Sequence, residues 1–153
     1  MDRYIFPAIF EPGEKKEKGY TVTFPDLPGC ITEGDTLEEA LRMAKEALEL
    51  HLYGMEEDGD PIPEPTSPGK IDVPKGAFVA FIEAWMPLVR DEMANKAIKK
   101  TLTLPKWLND LAERQKVNFS RVLQTALKDY LGVRDYPDPP GGDTNGQEYR
   151  ERT

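Results

Sequence analysis

Cysteine and histidine are nearly absent, with one of each in 153 residues. A single thiol excludes an internal disulfide, and Cys30 with His51 falls short of a zinc-ligand set. Long apolar runs are missing as well. Nothing approaches the roughly 20 residues that cross a bilayer. Pro7, Pro12 and the charges of "MDRYIFPAIFEPGEKKEKG" interrupt the N-terminus too early for a signal peptide. A cytoplasmic protein without membrane, metal or cofactor is expected. No internal repeat is visible, which sets aside solenoids and arrays.

What is present suits one ordinary domain or two small ones, with 39% hydrophobic residues to build a core. The net charge of -8 conceals a division. Residues 1–68 hold 16 acidic and 6 basic side chains, whereas residues 96–134 hold 9 basic and 3 acidic. The acidic front repels nucleic acid and suits a basic protein, while the basic segment gains by neutralising phosphate. Two partners of opposite charge are expected.

Apolar periodicity gives the organisation. Tyr4 to Phe10 is apolar on both parities and reads as a buried strand. A charged turn follows, then Tyr20, Val22 and Phe24 alternate with Thr21 and Thr23 as a half-solvated strand. "PDLPG" breaks it, and Cys30 to Glu33 gives a third. Thr36 with Glu39 is a capping box, so a helix starts there, with Leu37, Leu41, Ala44, Leu48, Leu52 and Met55 as its packing stripe. "EEDGDPIPEPTSPG" is a proline-rich connector without regular structure, and "AFVAFIE" returns as a fourth strand. The front half is therefore βββαβ, over residues 1–84. A short helix over 85–95 links it to a second unit over 96–134, and the polar residues 135–153 form a flexible tail.

The second unit begins with "KKTLTLP". Lys99, Thr101 and Thr103 face one way, and Lys100, Leu102 and Leu104 the other. Pro105 ends the strand and opens a helix bearing Trp107, Leu108, Leu111 and Ala112 on one side. A second helix is N-capped by Ser120, carries Val122, Leu123, Ala126, Leu127, Tyr130 and Leu131 on its apolar face, and closes at Gly132. One strand and two helices offer no neighbour for the strand's backbone, and an isolated strand is unstable. The expected partner is the same strand of a second chain, giving a homodimer. Its core would take Leu102, Leu104, Trp107, Leu111, Val122, Leu123, Ala126 and Leu127. Lys99, Thr101 and Thr103 would then face outward on a two-stranded ribbon that fits the major groove. Lys96, Lys100, Asn118, Ser120 and Arg121 are the expected phosphate contacts, the last three at a helix N-terminus.

"KKTLTLPKWLNDLAERQKVNFSRVLQTALKDYLG" resembles the ribbon-helix-helix DNA-binding family over its full length, which implies base reading by the outward strand residues. Lys116 departs from the glycine common there, so the turn must form with a side chain present. "GYTVTFPDLPGCITEGDTLEEALRMAKEALELHLYGMEEDGDPIPEPT" is similar to the HicB antitoxin family, a likeness that runs from Tyr4 to about Glu83. That likeness implies an α+β architecture whose front domain is a partial RNase H-like fold without the nuclease centre. It further implies binding of a small basic HicA-type toxin, an mRNA interferase, and repression of the operon through the C-terminal unit on double-stranded operator DNA, as a dimer, tetramer or higher assembly. No toxin-contact residue carries over.

Plainer readings compete. Asp26, Glu33 and Asp35 would suit a two-metal nuclease, but turn and cap positions favour carboxylates for backbone reasons. Cys30 reads as a small strand residue, His51 as a helix-boundary residue, and "EEDGD" as a solvated helix end. The chain is expected to be no enzyme. The alternative to an antitoxin is a solitary transcription regulator whose front domain senses a ligand or oligomerises.

Overall fold

A computed structural model of the chain describes residues 1–14 and 19–134. The charged turn and the tail expected at 15–18 and 135–153 lie outside the described residues. The chain divides into two compact units after Ala94.

In the first unit the doubly apolar stretch becomes the middle of an antiparallel sheet, because both of its faces need cover. β1 (Arg3–Pro12) buries Phe6, Pro7, Ala8, Ile9 and Phe10 in succession. β2 (Tyr20–Thr23) and β4 (Phe78–Trp85) flank it, and β3 (Ile31–Gly34) completes the order β3-β2-β1-β4. Ile9 pairs with Thr23 on one side and Val79 on the other. Pro7 is tolerated in this strand because β2 ends opposite Ile9, leaving β1 beyond that point with β4 alone.

α1 (Leu37–Asp58) begins at the expected cap, where Thr36 Oγ1 accepts the Glu39 N–H at 3.1 Å. The Glu39 carboxylate takes the Asp35 N–H at 2.9 Å, one residue ahead of the cap. The buried face differs from the expected stripe: Ala40, Ala44, Leu48 and Leu52 are covered, while Leu37 and Leu41 are 44% and 39% exposed. Gly34 supplies the reason. A Cβ on it would lie 2.4 Å from the Ala40 nitrogen and 2.6 Å from its Cα. Backbone meets backbone there, so an alanine fits beneath the helix and the leucines turn outward. Gly59, at φ 71°, ends α1, and the Asp60 N–H reaches the Met55 carbonyl at 2.9 Å.

The connector is more ordered than its composition suggests. It contains one 3-10 turn at Pro68–Lys70, a correction to the expectation of no regular structure. It is tied to the "PDLPG" turn by Thr66, whose N–H donates to Asp26 Oδ2 at 2.9 Å and whose hydroxyl donates to Asp26 Oδ1. After β4, α2 (Met86–Asn95) buries Met86 and Val89 in the core of this unit. Arg90 fixes it, donating to Glu56 at 2.8 and 2.7 Å, to Asp2 at 2.7 Å and to the Met1 carbonyl at 2.9 Å. These charge-assisted bonds push the Arg90 pKa upward.

The second unit holds α3 (Lys106–Arg114) and α4 (Phe119–Leu131). The described fold is thus α+β, with a four-stranded antiparallel sheet and four α-helices.

Candidate functional site

No residue between 95 and 134 is buried. The two helices nevertheless carry continuous apolar stripes. Trp107 is 68% exposed, and Leu102, Leu104, Leu111, Val122 and Leu127 are all exposed; Ala126 is open too and Leu123 is half-covered. These are the eight residues expected to form a shared core, and in one chain none of them is buried.

The segment ahead of α3 behaves likewise. Residues 96–105 form no strand in the single chain and belong to no sheet. The expected strand is absent because, among the described residues, no second strand lies against it. Lys96, Lys99, Lys100, Thr101 and Thr103 are all exposed.

Two helix starts differ from expectation. Pro105 is the N-cap of α3 rather than its first residue, at φ -57° and ψ 139°, and its carbonyl accepts from Leu108 and Asn109. Asn118, not Ser120, caps α4: its Oδ1 accepts the Arg121 N–H at 3.0 Å. Asparagine caps as well as serine does, and using it admits Phe119 and Ser120 to the first turn. The basic side chain of Arg121 and the hydroxyl of Ser120 thus sit in the turn whose N–H groups point outward, which favours an anion. Before it comes Lys116, at φ 53° the one described non-glycine residue with positive φ, its N–H on the Glu113 carbonyl at 3.0 Å. The turn adopts the glycine geometry with a lysine in place.

In the first unit, one of the carboxylates weighed as metal ligands ties two loops together. Both oxygens of Asp26 are taken by Thr66, while Asp35 precedes the helix cap and donates its backbone N–H to the Glu39 carboxylate. Among the described residues no group of three acidic, cysteine or histidine side chains is placed to hold a metal ion. Cys30 is buried, its thiol directed at the Ala47 carbonyl at 3.6 Å, and burial pushes its pKa up to about 11. A thiol so held is protonated at neutral pH and is no nucleophile. His51 lines an open cleft of about 740 Å3 with Asp26, Leu50, Asp58 and Asp60. No helix of the described residues is long and apolar enough to cross a membrane.

Sequence reasoning missed one surface of this unit. Phe81 is 46% exposed and Trp85 40%, with Arg3 stacked 5.6 Å above the Trp85 ring and ion-paired to Glu83 at 3.1 Å. Ile5 and Ile31 are exposed as well. The "AFVAFIE" run shows that a strand exists, but not that it stands at the end of the sheet.

Known proteins resemble this chain in sequence and in fold. A 14.9 kDa protein of Haemophilus phage HP1 is 37% identical over 92 residues, covering 60% of this chain and 68% of that one. Antitoxin HicB 1 of Photorhabdus laumondii is 38% identical over 102 residues, covering 62% and 64%. The chain thus spans about two thirds of the length of these relatives. Among solved structures, a toxin-antitoxin complex from Streptococcus pneumoniae matches 84% of this chain and 99% of its own at 26% identity, with a TM-score of 0.56. The Burkholderia pseudomallei antitoxin HicB shares the fold at 20% identity and a TM-score of 0.50, covering 82% and 98%. A family model described as the HicB-like antitoxin of bacterial toxin-antitoxin systems matches residues 6–126, across both units, and the chain belongs to that family.

Proposed function

We propose that this antitoxin neutralises a small basic toxin of the HicA type, an RNA-cleaving enzyme, through the first unit, and represses its own operon by binding operator DNA through the second. In this reading the first unit is the partial RNase H-like domain, and the second is one half of a ribbon-helix-helix dimer. The observation that carries it is the second unit's lack of any buried residue despite apolar stripes on both helices. A second copy would cover the stripes and supply the antiparallel partner that residues 99–104 lack. Closing the ribbon turns Lys99, Thr101 and Thr103 toward the major groove, where lysine donates to guanine and threonine meets adenine, cytosine or the thymine methyl. Lys96, Lys100, Asn118, Ser120 and Arg121 then flank the phosphates, with a local charge of +6 to drive the association.

Co-expression with the neighbouring reading frame tests the first half. A small basic protein should co-purify and lose its RNase activity at stoichiometric antitoxin; full activity in the mixture would refute the assignment. For the second half, Thr101→Ala and Thr103→Ala should each cost roughly 1 to 3 kcal/mol of discrimination between operator and random DNA. Arg121→Ala should weaken all sequences alike and reduce the salt slope by about one contact. Titrations by fluorescence anisotropy at several salt concentrations separate the two effects.

A further inference from the structure

The two ends of the sheet are not alike. β3 has four residues, includes Glu33 and runs into α1 almost at once. β4 has eight residues, "FVAFIEAW", without proline or glycine, and among the described residues it pairs along one side only. Free edges are ordinarily blunted by charge, proline or shortness. Here the single charge, Glu83, is already neutralised by Arg3. Beside this edge runs a groove of about 410 Å3 lined by Leu41, Lys45, Phe81, Ile82, Glu83 and Trp85. Leu37, one turn before Leu41 on the same side of α1, is exposed as well.

We infer that the open edge of β4 and its groove are where the toxin docks, by adding a strand to the sheet. The inference rests on the antitoxin reading above and adds the place of contact. Backbone groups of β4 supply affinity, and the groove receives alternate side chains of the incoming strand. The groove's own charges, Lys45 and Glu83, are paired with Glu49 and Arg3, so the field of the whole unit selects the occupant. Residues 1–94 hold 20 acidic and 9 basic side chains, so a second copy of this unit would bring the same sign to the contact and a basic protein the opposite. Leu41, left outside the unit's own core by the close approach at Gly34, forms one wall with Lys45.

The test uses the full chain and the purified basic protein from the neighbouring reading frame, titrated by calorimetry. Phe81→Lys and Leu41→Lys place a positive charge where a basic strand would lie, at positions already open to solvent. Each should raise Kd at least tenfold with melting unchanged. Phe81→Thr keeps strand propensity, and it should show a smaller loss in the same direction should a lysine variant fail to fold. Wild-type affinity in folded variants overturns this placement and leaves the antitoxin reading intact. No binding by the wild-type chain overturns both. Unchanged toxin affinity combined with lost self-association in sedimentation would assign the edge to a second copy and reject the inference.

Discussion

Lys116 occupies backbone space that costs an L-residue roughly 1 to 2 kcal/mol. Glycine avoids that strain and gives back roughly 0.5 to 1 kcal/mol in unfolded-chain entropy. Lys116→Gly is therefore expected to stabilise the second unit by about 0.5 to 1 kcal/mol, read as a higher urea midpoint at fixed protein concentration. The same change removes one of nine basic residues in the segment, so affinity for random DNA should fall as stability rises. Cys30 makes the opposite kind of case, a group whose burial shows on titration. Its folded pKa, about 11, lies above the value of 9.0 for a free thiol. The contribution is complete below pH 9 and is lost as pH rises toward 11, because the unfolded chain ionises first. Equilibrium unfolding of the wild type and Cys30→Ala between pH 8 and 11 should show the wild type losing stability faster. Thiol reagents at pH 8 should label Cys30 only on unfolding.

The elements themselves were largely legible. Thr36 and Glu39 mark the start of α1 and Gly132 closes α4, because capping is local chemistry written in adjacent residues. The buried face of α1 was not legible at its start, since hydropathy favours Leu37 and Leu41 over Ala40. Only the approach of the β3 backbone at Gly34, a tertiary fact, reverses the preference. The α4 cap was misplaced for a related reason: Asn118 and Ser120 are equally good caps in isolation, and the choice depends on where Phe119 is admitted. Gly34→Ala tests the packing account. It should destabilise the first unit by roughly 3 kcal/mol, the upper range for overpacking, because the clash is with backbone that cannot swing aside. Urea unfolding monitored by Trp85 fluorescence, in a chain carrying Trp107→Phe so that only this ring emits, would measure it.

Across the whole molecule the acidic and basic halves follow different laws. The first unit has its own core, from Phe6 and Phe10 through Leu48 and Leu52 to Met86, so its melting should not depend on concentration. The second unit, if completed by another copy as proposed, should lose about 1.4 kcal/mol for each tenfold dilution. Thermal scans of the full chain at 1 and 100 μM should show one transition holding still and the other moving. Charge was readable from composition, because the sign of a segment survives any folding. The open β4 edge was not, because strand order within a sheet is a property of the assembled chain.

The bare apolar side of the second unit also bears on how long the protein lasts in a cell. In the dimer reading proposed above, a nascent chain would fold its front half alone, while its back half would wait for a sister chain and meanwhile offer unprotected backbone to proteases. Degradation would then quicken as copies grow scarce, since fewer would be covered at any moment. A fall in supply would feed on itself, and the reserve of inhibitor would collapse abruptly instead of declining in proportion.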